Sequence, residues 1–191
     1  MTKPDRTVAA SCPEWMERAV DWGARYATDE SRMGLAIELA RQNVQRGTGG
    51  PFGAAVFESG TGALVAAGVN SVTRLQNSML HAEVLAIMLA ESRVGSYTLL
   101  GPELPHHELV TTCDPCAMCL GAVLWSGVRR LVTGADRADA SALDFDEGPV
   151  FPESYAYLEA RGVVVVRGVL RREAAAVLEL YRRQGGVIYN A

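Results

Sequence analysis

Two short segments concentrate the residue types that do chemistry in this sequence, His81-Ala82-Glu83 and Pro115-Cys116-Ala117-Met118-Cys119. Cysteines three apart at the start of a helix lie about one turn from each other, so both sulfurs can approach a single ion at about 2.3 Å. The histidine supplies a third ligand. Three protein ligands on a tetrahedral zinc leave one position for water, which separates a reactive centre from a closed structural one. Glu83 lies two residues past the histidine, within reach of that water without being a ligand. Zinc lowers the pKa of bound water toward ~7, and a desolvated carboxylate beside it can take the proton and return it to a departing group. The residues thus predict one Zn²⁺ per subunit on His81, Cys116 and Cys119, with Glu83 moving protons. The thiolates are favoured further by the helix N-terminus. Cys113 also precedes Cys116 by three, but Asp114-Pro115 should keep it outside the helix as a packed thiol.

Positioning these groups requires alternating strands and helices. The spacing of Met33, Ile37, Ala40 and Val44 predicts a helix that begins near Ser31 and stops in Gly47 to Gly50. Ala54 to Phe57 and Leu64 to Val69 read as a hairpin about the turn Ser59-Gly60-Thr61-Gly62. A helix follows from His81 to Arg93, then strand Glu108 to Thr112, helix Cys116 to Trp125 and strand Arg130 to Gly134. Helix Glu153 to Ala160, the β-branched run Val163 to Val166 and a last helix, Arg171 to Arg183, complete the alternation, which implies parallel strands. Ahead of this lies a helix from Ser11 with Trp15, Ala19, Trp22 and Tyr26 on one face, read as packing or subunit contact. The expected organisation is an N-terminal helical extension over 1–30 and one catalytic domain over 31–191.

The chain of 191 residues, 49% apolar and 21% charged, has enough hydrophobic material for a sizeable core. Its formal net charge of −4 gives no global field to draw in phosphate polymers, so nucleic acid is a disfavoured partner. No run approaches the ~20 apolar residues of a membrane span. Met1 to Ala10 lacks the apolar centre of an export signal. A soluble, cytoplasmic protein in a reducing setting is expected, with no membrane partner.

The two segments match the H-x-E…P-C-x-x-C signature of zinc-dependent base deaminases, and the sequence resembles the cytidine deaminase-like superfamily. Within it, Gly49-Gly50-Pro51-Phe52-Gly53-Ala54, Asn70, Pro115 to Ala122 and Phe145-Asp146-Glu147 resemble the bacterial guanine deaminases, from about Arg32 onward. Gly186 to Ala191 and the segment Pro105 to Glu108 are similar to the subgroup that accepts both guanine and ammeline. The resemblance implies a three-layer α/β/α sandwich with a mixed five-stranded sheet, a homodimer, and hydrolytic deamination of a free nucleobase, guanine to xanthine plus ammonia. It further implies that Glu147 binds the base and assists proton transfer and that Asn70 grips a ring carbonyl or nitrogen. Phe52 and Trp125 would wall a flat pocket, and the Ala82 backbone N–H would contact a substrate oxygen. Some relatives cover a partner's site with a tail aromatic, a place Tyr189 matches by position. The sequence departs from the family pattern at Asp114, where Glu is usual, and in its long N-terminal segment.

Other readings of the same residues stand beside these. Glu147 alone reads as a solvated loop carboxylate, and Asn70 equally as a cap for the turn after its strand. His106 and His107 read as surface residues of a Pro-flanked loop, and Arg129-Arg130, Arg171-Arg172 and Arg182-Arg183 as solvated pairs. Deamination of cytosine, a nucleoside or tRNA adenosine uses the same metal chemistry. A non-catalytic zinc-bound scaffold needs the ligands but no Glu83.

Overall fold

The sheet of a computed structural model, which describes residues 7–189, has five strands in the order β2-β1-β3-β4-β5. They are β1 (Gly53–Glu58), β2 (Leu64–Val69), β3 (His107–Cys113), β4 (Arg130–Ala135) and β5 (Val164–Val166). The turn Ser59 to Gly62 makes β1 and β2 antiparallel, with Ala55 opposite Ala67. β1 also runs antiparallel to β3, whereas β3, β4 and β5 are parallel. The sheet is therefore mixed, as expected. Parallel neighbours require crossovers, and helices supply them.

Alternation along the strands splits the core into two layers. Ala55, Phe57, Val110 and Val132 face α2 (Asp29–Gln45) and α8 (Arg171–Arg183), whose Met33, Ile37, Ala40, Val177 and Leu178 are buried against them. Ala54, Val56, Leu109 and Leu131 point the opposite way, toward α4 (Ala82–Val94), α5 (Ala117–Ser126) and α7 (Pro152–Ala160). Each large apolar side chain fully buried in these layers contributes about 1.5–3 kcal/mol. The close approach of α4 to the sheet depends on Gly68, where a Cβ would come within 2.5 Å of the Ala82 carbonyl oxygen. The result is the three-layer α/β/α sandwich, with the N-termini of α4 and α5 together on one face.

Several expectations change. The N-terminal helix is only α1 (Trp15–Ala19), because Val20 turns extended and Asp21 accepts a hydrogen bond from the Gly23 N–H, an Asx turn that competes with helix. Arg25 then bridges to Ala63 beside the hairpin. Met16 and Val20 are buried in the α2–α8 core layer, with Cys12, Trp15, Trp22 and Tyr26 packed against it. α2 starts at Asp29, where Thr28 and Ser31 form a reciprocal cap, so the expected boundary at residue 30 falls inside a helix. Two further short helices form, α3 (Val72–Leu75) and α6 (Arg137–Ser141), where the spacing predicts no element. Met1 to Arg6, Asn190 and Ala191 lie outside the described residues.

His107 and Arg130 are not solvated. His107 is fully buried in β3, with Nδ1 bonded to the Leu99 carbonyl at 2.9 Å. Arg130 donates to both carboxylate oxygens of Asp29, at 2.8 and 2.6 Å, and to Oε2 of Glu108 at 2.7 Å. Arg32 donates to the other oxygen of Glu108, which is wholly buried. This network ties the start of α2 to β3 and β4, and periodicity could not show it because the partners are up to 101 residues apart.

Candidate active site

The two chemistry-bearing segments arrive at the same place because each opens a helix. His81 is the N-cap of α4 and Cys116 the N-cap of α5, both with extended backbone, and Cys119 lies one turn into α5. β3 delivers the second segment, ending at Cys113, and Asp114-Pro115 turns the chain into α5. Asp114 is buried and accepts from the Thr133 hydroxyl at 2.7 Å and from the Arg167 guanidinium. These partners hold the turn ahead of Cys116. Nothing in the local sequence announces them.

His81 Nδ1 is 3.6 Å from each of the Cys116 and Cys119 sulfurs, and the three ligand atoms lie within 4.8 Å of one another. Tetrahedral zinc with bonds of about 2.3 Å to sulfur and about 2.0 Å to nitrogen would place sulfur and nitrogen about 3.5 Å apart. The donor set and its spacing therefore fit zinc. Cys113 stays outside the group, as expected: it is buried, its sulfur is 3.6 Å from the Asp136 carbonyl oxygen, and burial pushes its thiol well up. No fourth protein ligand joins the cluster among the described residues.

Glu83 lies in the first turn of α4, 6% exposed, and burial raises its carboxyl above the usual range, with the neighbouring Cys116 charge adding to the effect. Glu147 follows the buried Phe145 in the loop after α6. Burial first, then the charges of Cys116 and Glu83, push its carboxyl to about 7. It is not a solvated loop acid. Two acids thus face one metal-binding group in a desolvated setting, the arrangement that proton transfer near neutral pH requires.

Asn70 acts as the cap that the sequence allows. Its Oδ1 accepts from the Val72 N–H at 3.3 Å, as a cap does, and from the Gly50 N–H at 3.4 Å. Its own carbonyl is held by Asn43 Nδ2 at 2.9 Å. The remaining amide nitrogen is buried with no partner among the described residues, in the cavity that His81 and Glu83 line. A buried donor left unpaired costs about 1–3 kcal/mol, and this one is available to an acceptor that enters the cavity.

Phe52 lines this cavity and meets Phe145 edge to face, with centroids 5.1 Å apart. Ala82, fully buried, opens α4 beside it, where the first amides lack partners within the helix. Trp125 does not join them. It is 80% exposed at the last turn of α5, since six residues beyond Cys119 rotate a side chain about 240° off the ligand face. Tyr189, matched in the sequence to an aromatic that covers a partner's site, here covers the site of its own chain. Its ring lies 6.4 Å from that of His81 and 5.2 Å from that of Phe145. With Tyr189 in place the cavity has a volume of about 10 Å³, room for one water. A second, open cavity of about 280 Å³, rimmed by Met79 and Met118, shares His81, Cys116 and Glu147.

The family model for the cytidine and deoxycytidylate deaminase zinc-binding region matches residues 26–135. Guanine deaminase of Bacillus subtilis (strain 168) is 37% identical over 124 residues, which is 65% of this chain and 75% of that protein. Among solved structures, guanine deaminase from Nitrosomonas europaea is 42% identical over 95% of this chain and 100% of that one, with a TM-score of 0.90. A structure in complex with 2,6-diaminopurine is 44% identical over 96% of this chain and 97% of that one, also with a TM-score of 0.90. The ligand spacing, the buried Glu83 and these likenesses converge: the chain belongs to the cytidine and deoxycytidylate deaminase family and is a zinc-dependent aminohydrolase.

Proposed function

We propose that this enzyme converts guanine and water to xanthine and ammonia, with ammeline as a second substrate. The observation that carries the reading is the pairing of an unpartnered Asn70 amide with a buried Glu147 beside the His81-Cys116-Cys119 group. Guanine presents both an acceptor edge for the amide and an amino group for the acid. Its likeness to proteins named guanine deaminase supports the choice.

Bound zinc would supply a polarised, readily deprotonated water. The chain's own residues do the rest. Phe52 presents an aromatic face to the flat ring, and Asn70 Nδ2 donates to the ring carbonyl. The Ala82 amide stands where a helix start can stabilise developing negative charge on oxygen. Glu83 takes a proton from the attacking water and delivers it to N3, the ring nitrogen beside C2 without a hydrogen. Glu147 holds the amino edge and assists transfer of the next proton to the departing nitrogen, a role suited to a carboxyl that burial raises above its ordinary range. The Tyr189 ring lies over this pocket, where it can shield a bound base from water.

We further propose one zinc per subunit and a homodimer through α4 and α5, whose Met88 and Trp125 are 45% and 80% exposed. The cytoplasm, which keeps thiols reduced, suits the ligand pair. No described helix is long and apolar enough to cross a membrane. The test is ammonia release over guanine, ammeline, cytosine, adenosine and tRNA. Turnover confined to guanine and ammeline supports the proposal. Turnover of tRNA alone would replace it, and zinc binding without ammonia from any of them would leave a scaffold.

A further inference from the structure

Glu147 has no regular element of its own to hold it, since it lies in a loop between α6 and α7, and its placement must come from contacts. On one side the first free amide of α5, at Ala117, donates to the Glu147 carbonyl oxygen at 3.0 Å, joining the loop to the helix that carries Cys116 and Cys119. On the other side stands Arg137, the first residue of α6. Its Nη1 donates to the Val150 carbonyl at 2.9 Å and its Nη2 to the Gly148 carbonyl at 2.5 Å. One planar guanidinium thus spans two carbonyls, one and three residues past the acid, a geometry that a point-charge ammonium cannot reproduce.

The base of this strut is itself fixed. Asp136 and Asp139 cap α6 reciprocally, and Arg171 of α8 pairs with both, at 2.6 and 2.9 Å. Within the loop, the Gly148 N–H donates to Asp146 Oδ1 at 2.8 Å and the Val150 N–H to the Gly148 carbonyl at 2.9 Å. Arg137 does not line the cavity shared by Asn70, Glu83 and Glu147. It can act on the reaction through the loop and through the field of its charge, which lowers the Glu147 carboxyl and which Arg137→Lys retains.

We propose that Arg137 is a positioning residue: its two hydrogen bonds to the Gly148 and Val150 carbonyls set the Glu147 carboxylate against the base. The proposal rests on the reading of Glu147 as a base-contacting acid. Loss of the fork frees the loop on one side while the Ala117 bond still holds the other. A displacement of about 1 Å in a catalytic group costs on the order of 100-fold in rate.

The experiment is a double-mutant cycle with guanine on the zinc-loaded enzyme, comparing the parent with Arg137→Ala, Glu147→Gln and the double variant, with Arg137→Lys alongside. Zinc content, melting temperature, kcat and KM are measured for each. The expected result is a 10- to 100-fold lower kcat/KM for Arg137→Ala with zinc content unchanged, and an intermediate value for Arg137→Lys. In the Glu147→Gln background the same change alters kcat/KM by less than about twofold, because the group it positions is already lost. Parental kcat/KM in Arg137→Ala overturns the proposal, and so does an equal loss in both backgrounds. Parental kcat/KM in Glu147→Gln instead removes the reading on which the proposal stands. Should Arg137→Ala fail to fold, Arg137→Lys completes the same cycle under the same criteria.

Discussion

Replacing Asn70 by Ala should separate its two tasks. In the free protein Asn70 Oδ1 accepts two long hydrogen bonds, at 3.3 and 3.4 Å, each contributing about 0.5–1.5 kcal/mol. Its Nδ2, buried and unpartnered, opposes folding by about 1–3 kcal/mol. The substitution removes both, so the gain and the loss nearly cancel, and urea unfolding should show a stability change within about 1 kcal/mol. Turnover has no such cancellation. In the proposed pose this donor meets the ring carbonyl, and losing it should raise the barrier by about 1.5–3 kcal/mol. Absorbance change on guanine, with zinc content matched, should then show kcat/KM lowered roughly 10- to 150-fold. A variant destabilised by more than about 3 kcal/mol but with parental kcat/KM per folded molecule would show that Asn70 only caps α3.

Three further expectations test the scaffold. Glu108→Ala removes the buried acceptor that Arg32 and Arg130 share, and because Arg130 keeps Asp29 and Arg32 keeps the Tyr26 carbonyl, it should cost about 1–3 kcal/mol in urea unfolding; no measurable cost would mean the network contributes little. Gly49→Ala places a Cβ 2.0 Å from the Asn70 carbonyl oxygen, so stability should fall by about 1–3 kcal/mol, and kcat/KM should fall with it as Asn70 shifts. Asp29 is held below its ordinary value, first by the hydrogen bond from Arg130, so its folded pKa lies below its unfolded one. Its contribution is present above about pH 4 and fades as pH falls through the folded value. Asp29→Asn should therefore be less stable at pH 7, with the gap to the parent closing in acid; a gap that widens on acidification contradicts the assignment.

Local chemistry made the metal group legible, because His81 and the Cys116–Cys119 pair each sit at a helix start that the sequence punctuates, and helix caps need few distant contacts. The strands were readable for a similar reason, since Ala54 to Phe57 and Leu64 to Val69 flank turn residues. What stayed hidden depends on partners far along the chain. His107 looks like a loop residue until β3 buries it, and Arg130 looks solvated until Asp29 and Glu108 are brought to it. Family likeness puts Trp125 in the pocket, and helix rotation leaves it outside. The tail shows the same limit: Tyr189 has nothing local to place it, and its position over His81 follows from the packing of Phe145 and Tyr181 beneath it.

Glu83→Gln, purified with its zinc measured and assayed for ammonia from guanine, bears most directly on the chemistry assigned here. The amide keeps the size and hydrogen-bonding shape of the side chain but cannot accept the proton, so zinc should remain at one per chain while turnover falls at least 100-fold. Full turnover with zinc in place would contradict the role of Glu83, and a parent enzyme that carries zinc yet releases no ammonia from any base would contradict the proposed reaction as a whole.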